Sequence, residues 1–316
     1  VGAREEGVRN LKLNNMKYVC AQPATQYYGW QIDTMLYSFR TVGVNLEDVH
    51  IVCAIHNEID PYFDRLMKKY PGVIFSFYED TRHNKSYISS IRPHILKKHF
   101  TAYSKLKEDV IFYHDSDIVF TKPLDLNKFT EDSVCYLSNT VSYIGYNYIH
   151  SKGEDVLNRM LNIVGIDEDV VKKNEINSGG AQYLLKGIDK YFWYDVENDS
   201  TRLFEELTAL NQEKKSQDPN YHELQIWCAD MWGVLWNLWK KGKETRVIQE
   251  MDFSWATSNI SEWHKNSIYH NAGVTEKDDD MFFKGDYIEK IPLMNLDVSK
   301  QKCSYSYYKL IQQSLI

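Results

Sequence analysis

The stretch from Val110 to Pro123, V-I-F-Y-H-D-S-D-I-V-F-T-K-P, limits the possible folds more than any other. Its apolar run Val110, Ile111, Phe112 and Tyr113 is β-branched and aromatic, lacks a helical period, and delivers Asp115 and Asp117 on either side of Ser116. That is the pattern of a buried strand ending in two carboxylates. Ligands of open α/β sheets gather at the carboxyl ends of the strands, so acids placed there meet a substrate. Paired hard oxygen donors suit Mg2+ or Mn2+, ions that complete their shell with phosphate oxygens. The same D-x-D spacing recurs at Asp167 and Asp169 and at Asp278 and Asp280, in charged stretches that predict solvated turns.

Strands alternate with helices around this segment. After a charged arm over residues 1–16, a strand is expected at 18–21, a helix at 27–42, a strand at 49–55, a helix at 61–69 and a strand at 73–78. Such alternation predicts an α/β fold with a mainly parallel central sheet flanked by helices. Pro93 suits the first turn of a helix capped by Ser90, which puts Arg92 at a helix start, where backbone N–H groups and a guanidinium favour a diphosphate. Further on, a strand at 134–137, an extended piece at 142–148 and a helix at 154–164 are expected.

Three later stretches carry candidate chemistry. In E-I-N-S-G-G-A-Q-Y-L-L-K-G, Gly179 and Gly180 permit close backbone approach, and Asn177, Ser178 and Gln182 supply neutral groups that could bond sugar hydroxyls; a plain loop entering a helix at Gln182 is the alternative. Residues 221–239 predict the strongest helix, with Leu224, Trp227, Cys228, Met231, Leu235 and Leu238 on one side and Glu223, Asp230 and Asn237 on another. Trp227, Trp232 and Trp236 would wall Asp230 from solvent. Finally, His270 ends the apolar piece Ile268, Tyr269 and precedes Asn271 and Gly273, so it could join two Asp ligands on Mn2+.

Composition narrows the class. A formal charge of -7 argues against nucleic-acid binding through the overall field. Five cysteines, Cys20, Cys53, Cys135, Cys228 and Cys303, include no C-x-x-C pair, which predicts free thiols and a reducing, cytoplasmic rather than lumenal, compartment. The sequons at Asn84, Asn198 and Asn259 match chance expectation. No apolar run is long enough to span a membrane, and a removed anchor is compatible with a chain that begins at Val1.

The ordered set Asp115-Ser116-Asp117, Asn177-Ser178-Gly179-Gly180 and Tyr269-His270-Asn271-Ala272-Gly273 resembles the metal-dependent nucleotide-sugar glycosyltransferases of the GT-A fold. The resemblance implies a single Rossmann-like domain over residues 17–275, with a nucleotide-binding half at 17–125, an acceptor half at 126–275, and a C-terminal extension at 276–316 packed on it. It also implies Mn2+ (or Mg2+) on Asp115, Asp117 and His270, a UDP-sugar donor, and donor or acceptor contacts near Gly179 and Gly180. The A-D-M-W run around Asp230 is similar to a stretch in peptidyl hydroxyproline and serine glycosyltransferases. His270 and Gly273 fit the H-x-x-G-x-x-K pattern of family 8 enzymes, whose lysine stands here one place late at Lys277.

The expected activity is transfer of a sugar to a hydroxyl of a glycan or protein acceptor. Asp230 is the first candidate general base and Glu223 the second. A sugar nucleotidyltransferase would share sheet and metal but normally has a Gly-rich loop after the first strand, which Cys20 to Tyr28 lacks. A catalytically inactive sugar-binding or scaffold protein is the remaining alternative.

Overall fold

The computed structural model describes residues 16–276 and 280–316. The expectations for the arm before Met16, for Lys277 and for Asp278 fall outside the described residues; Met16 itself already belongs to the first strand.

Among the described residues the strands are β1 Met16–Pro23, β2 Val49–Ile55, β3 Ile74–Glu79, β4 Val110–His114, β5 Ile118–Phe120, β6 Cys135–Asn139, β7 Gly179–Lys186, β8 Thr245–Val247, β9 Phe253–Trp255 and β10 Ile268–His270. The helices are α1 Gln26–Thr41, α2 Tyr62–Lys69, α3 Ile91–Ala102, α4 Val141–Ile144, α5 Tyr146–His150, α6 Glu154–Val164, α7 Glu168–Lys173, α8 Lys190–Gln217, α9 Ala229–Lys240, α10 Ile260–Lys265 and α11 Cys303–Ser314. The main sheet has the order β3-β2-β1-β4-β7-β6-β8, and all its strands but β7 run the same way. A second sheet, β5-β10-β9, stands at the carboxyl end of β4.

The mainly parallel α/β sheet expected from the sequence is therefore present. Its central strands are buried on both faces, which is why they read as near-continuous apolar runs. Val19, Val52, Ile111 and Leu185 feed one core with α3, α6, α8 and α9. Cys20, Ile51, Phe112 and Leu184 feed the other with α1, α2 and α11. All five cysteines are buried free thiols.

Several expectations are corrected. Residues 142–148 are not extended: α4 and α5 form, broken at Gly145, whose absent Cβ would lie 2.6 Å from Val141 O and 2.8 Å from Glu175 Oε2. Gln182 lies within β7, so the segment after Gly179 is a strand rather than a loop entering a helix. The helix expected from 221 begins only at Ala229. The reason is local: the Asn211 amide donates to Leu224 O at 2.9 Å and its oxygen accepts from Leu224 N at 3.1 Å, drawing the backbone onto α8. The longest helix among the described residues, α8, has no counterpart in the expected elements; Asp189 caps it by accepting from the N–H groups of Tyr191 and Phe192 at 2.9 and 3.0 Å. Ser90 makes no side-chain cap on α3 and instead donates to Tyr87 O at 2.8 Å. Among the described residues no helix is long and apolar enough to cross a membrane.

Candidate functional site

Where β1 and β4 end, β7 begins, and α3 and α9 start, a cleft of about 310 Å³ opens at the carboxyl edge of the parallel strands. Asp115 and Asp117 enter it from the turn after β4, and His270 from the end of β10. β10 pairs antiparallel with β5, and Asn271 N donates to Asp117 O at 2.9 Å, so the imidazole is fixed relative to the turn.

His270 Nε2 lies 3.3 Å from Asp117 Oδ1 and 3.7 Å from Asp115 Oδ2. One ligand atom from each of the three residues falls within 4.8 Å of the others. Two hard carboxylate oxygens and one imidazole nitrogen fit Mn2+ or Mg2+, with phosphate or water completing the shell. The other oxygens are committed to cations: Arg92 pairs with Asp115 Oδ1, and Lys284 Nζ sits 2.5 Å from Asp117 Oδ2. Burial disfavours the charge on Asp117, but Lys284 and His270 overcome it and hold the carboxyl far below the usual range. Burial likewise opposes the charge of Lys284, yet Asp117 holds its pKa above the ordinary lysine value.

Arg92 spans the cleft. Its second nitrogen lies 2.6 Å from Asp230 Oδ2, and Tyr87 OH donates to Asp230 Oδ1 at 2.6 Å. Burial raises the Asp230 pKa, with Arg92 and the Tyr87 hydroxyl opposing. Arg92 does start a helix, as expected, but both ends of its guanidinium fork are occupied by carboxylates.

The other expected site residues divide. Ser116 lines the cleft, and its hydroxyl points to Gln31 Oε1 at 3.4 Å. Gln182 stands behind His270, its Nε2 3.0 Å from Nδ1. Asn177, Ser178, Gly179 and Gly180 do not line the cleft. A Cβ on Gly179 would lie 2.4 Å from Leu137 Cβ, and one on Gly180 2.6 Å from Met231 Cε, so both glycines serve the packing of β7. Asn271 accepts from Tyr269 OH at 2.8 Å, and Gly273 (φ +95) turns against Trp255 and Thr257; neither lines the cleft. Glu223 is exposed in a neighbouring groove with Tyr148, Lys152 and His222. Trp227 is 55% exposed, so it is not a core residue; it borders both cavities. Trp232 and Trp236 are fully buried, whereas the groups bonded to Asp230 are Tyr87 and Arg92.

Sequence reasoning missed Lys284, Tyr27, Tyr28 and Gln31, which also line the cleft. Tyr27, Tyr28 and Gln31 lie on the first turns of α1, directly after β1, where the strand-end rule would have placed ligand contacts. Lys284 comes from the C-terminal segment, and only the tertiary fold puts it here.

No family model matches the chain, and no curated protein matches it. Solved structures do. The WbbM bifunctional glycosyltransferase in its apo form is 11% identical, with a TM-score of 0.48 over 94% of this chain and 52% of that one. The apo glycosyltransferase GlyE of Streptococcus pneumoniae is 13% identical, with a TM-score of 0.43 over 95% of this chain and 60% of that one. The galactosyltransferase LgtC, in complex with donor and acceptor sugar analogues, is 10% identical, with a TM-score of 0.42 over 94% of this chain and 95% of that one. These neighbours are glycosyltransferases. The chain spans about half to three fifths of the length of the first two.

Proposed function

We propose that this chain transfers a sugar from a nucleotide-sugar donor, UDP-linked, to a hydroxyl of a glycan or protein acceptor. The observation that carries the reading is the convergence of Asp115 Oδ2, Asp117 Oδ1 and His270 Nε2 at the carboxyl edge of the parallel strands. Asp115, Asp117 and His270 would hold Mn2+ or Mg2+. A divalent cation there supplies Lewis-acid neutralisation of the diphosphate as the anomeric bond breaks.

The chain's own groups do the remaining work. Arg92 holds Asp115 and Asp230 in fixed relation across the cleft and adds positive potential beside the leaving group. Asp230 faces the acceptor side with a carboxyl whose pKa is raised by burial, which suits it to take the proton of an attacking hydroxyl or, in a retaining reaction, to orient that hydroxyl. Tyr143, Trp227 and Trp255 wall the same cleft, and Tyr143 lies 5.9 Å from Trp227 and 6.1 Å from Trp255 between ring centroids, an aromatic surface suited to a sugar face. The general base is thus assigned to Asp230 alone, because Glu223 opens into the other groove.

Calorimetry with UDP- and GDP-sugars tests the reading, first with manganese and then with chelator. Binding of one donor only with metal is expected. Absence of binding in both conditions would overturn the assignment.

A further inference from the structure

We propose that Gln182 is a positioning residue for His270, a two-way amide that sets which ring nitrogen carries the proton. The inference rests on the metal reading of Asp115, Asp117 and His270 and extends it to groups behind the cleft.

Two independent features single out this residue. The pairing of β6 with β7 runs from Leu137 opposite Tyr183 to Ser138 opposite Gly180, leaving Ala181 and Gln182 as a bulge. At this bulge Ala181 has φ 65, the one positive φ on a residue other than glycine among the described residues. Strained backbone of this kind persists where the surrounding structure over-determines it, and it concentrates at functional sites.

The second feature is a buried polar chain. Ser138 Oγ lies 2.7 Å from Gln182 Oε1, and Gln182 Nε2 lies 3.0 Å from His270 Nδ1. Ser138 and Gln182 are fully buried and His270 is 8% exposed, so water does not substitute for any link. With the amide N–H donating to Nδ1, the proton of a neutral imidazole sits on Nε2, which faces Asp117 Oδ1. That sense suits an imidazole whose Nε2 keeps its proton. An imidazole that gives its Nε2 lone pair to a cation must instead carry its proton on Nδ1 and needs an acceptor there. A half-turn of the Gln182 amide presents Oε1 to Nδ1 and turns Nε2 to Ser138, whose hydroxyl can accept as readily as donate. As Nε2 loses its proton Nδ1 gains one, so the ring stays neutral and the Gln182 amide keeps a partner at each end. A methionine or leucine at this position could serve neither state.

The test uses the full chain with histidine labelled by nitrogen-15. Wild type is expected to show the Nε2–H tautomer of His270 without metal and the Nδ1–H tautomer with Mg2+. Titrated with Mn2+ alone in the calorimeter, Gln182→Met should bind about 10-fold more weakly or worse, the usual effect of losing such a support. Gln182→Glu, which keeps an acceptor, should retain affinity. Ser138→Ala, which leaves Gln182 in place but unanchored, should lose less than Gln182→Met, and thermal unfolding of each variant separates packing loss from ligand positioning. Gln182→Met binding Mn2+ within about twofold of wild type, or a wild-type tautomer that does not change with Mg2+, overturns the proposal. A wild type that binds neither ion removes the metal reading as well, so the two failures are distinct.

Discussion

Lys284 Nζ lies 2.5 Å from Asp117 Oδ2, the carboxylate oxygen turned away from His270. A resident ammonium therefore already neutralises one acid of the D-x-D pair. Two unit charges 4 Å apart interact by about 4 kcal/mol at an effective dielectric of about 20, and a divalent ion doubles the repulsion. Lys284 belongs to a short turn, Lys284–Tyr287, and its side chain is 30% exposed, so it can swing toward an incoming diphosphate. Lys284→Met is expected to tighten Mn2+ binding roughly tenfold without nucleotide and to weaken UDP binding at saturating Mn2+ by a similar factor, about 1.4 kcal/mol each way. Calorimetry with the two ligands in turn checks both signs; equal effects on both would make Lys284 a simple structural clamp.

Asp117→Asn keeps the shape of the side chain and removes its charge. Metal binding should be lost, because an amide is a poor substitute for one of only two hard anionic donors. Stability should fall by about 1–3 kcal/mol, the usual range for a broken charged hydrogen bond, since Lys284 can turn to solvent. Manganese titration together with urea unfolding separates the effects, and a folded variant with wild-type metal affinity would exclude Asp117 as a ligand.

Asp230→Asn tests the acceptor side. The three residues proposed to hold the metal are all kept, and the amide oxygen introduced by the substitution can still accept from Arg92, so donor affinity should hold while turnover drops about 100-fold or more, the range of general-base catalysis. In wild type, turnover should decline on the acid side at a pH above the ordinary carboxylate range, because burial raises the Asp230 pKa against Arg92 and Tyr87. A variant that loses affinity and keeps turnover would place Asp230 in binding.

Much of this arrangement was legible in the sequence because the elements that build it are local. The strand run at 110–113 and its two acids, the helix over 154–164 and the strand at 49–55 lie where periodicity puts them. The place of His270 after a short apolar piece is a weak signal by itself and only the resemblance singles it out; its ligand atom does fall within 4.8 Å of those of Asp115 and Asp117. Failures arose where tertiary contacts override local pattern. The seven-residue stripe of Glu223, Asp230 and Asn237 dissolves because Asn211 captures the Leu224 backbone, a contact that spacing cannot show. The glycine pair resembled a ligand loop, yet Leu137 and Met231 require it. The helix α8 does carry a local signal, in Asp189 at its start and the buried positions Phe192, Val196, Leu203 and Leu207. Lys284 carried no local signal.

Ala181→Gly relieves a backbone conformation that costs a non-glycine residue about 1–2 kcal/mol. Glycine adds unfolded-state entropy that offsets roughly 0.5–1 kcal/mol. The net expectation is stabilisation by about 0.5–1 kcal/mol in denaturant unfolding, whereas Ala181→Val, β-branched at positive φ, should destabilise. Stability that falls in the glycine variant would mean that the Ala181 methyl group matters more than the strain.

Away from the cleft, His50 and His99 form a buried pair that makes stability depend on pH. His50 Nδ1 lies 2.9 Å from His99 Nε2, and Tyr78 OH lies 3.0 Å from His99 Nδ1. Burial, with Lys17 adding to it, lowers the His50 pKa to about 4, and burial, with His50 adding to it, lowers that of His99 to about 3. Both folded values lie below the unfolded value near 6.5, so the unfolded chain binds more protons through the window between them. Stability is thus fully present above pH 6.5 and drains away as pH falls toward 4, by on the order of 3 kcal/mol per histidine. The buried His114, lowered to about 4 by burial, adds to the same slope. Urea unfolding at pH 7, 5.5 and 4.5 should show the decline, and replacing both His50 and His99 by Gln should flatten it. An unchanged slope in the double variant would assign the acid sensitivity to other groups.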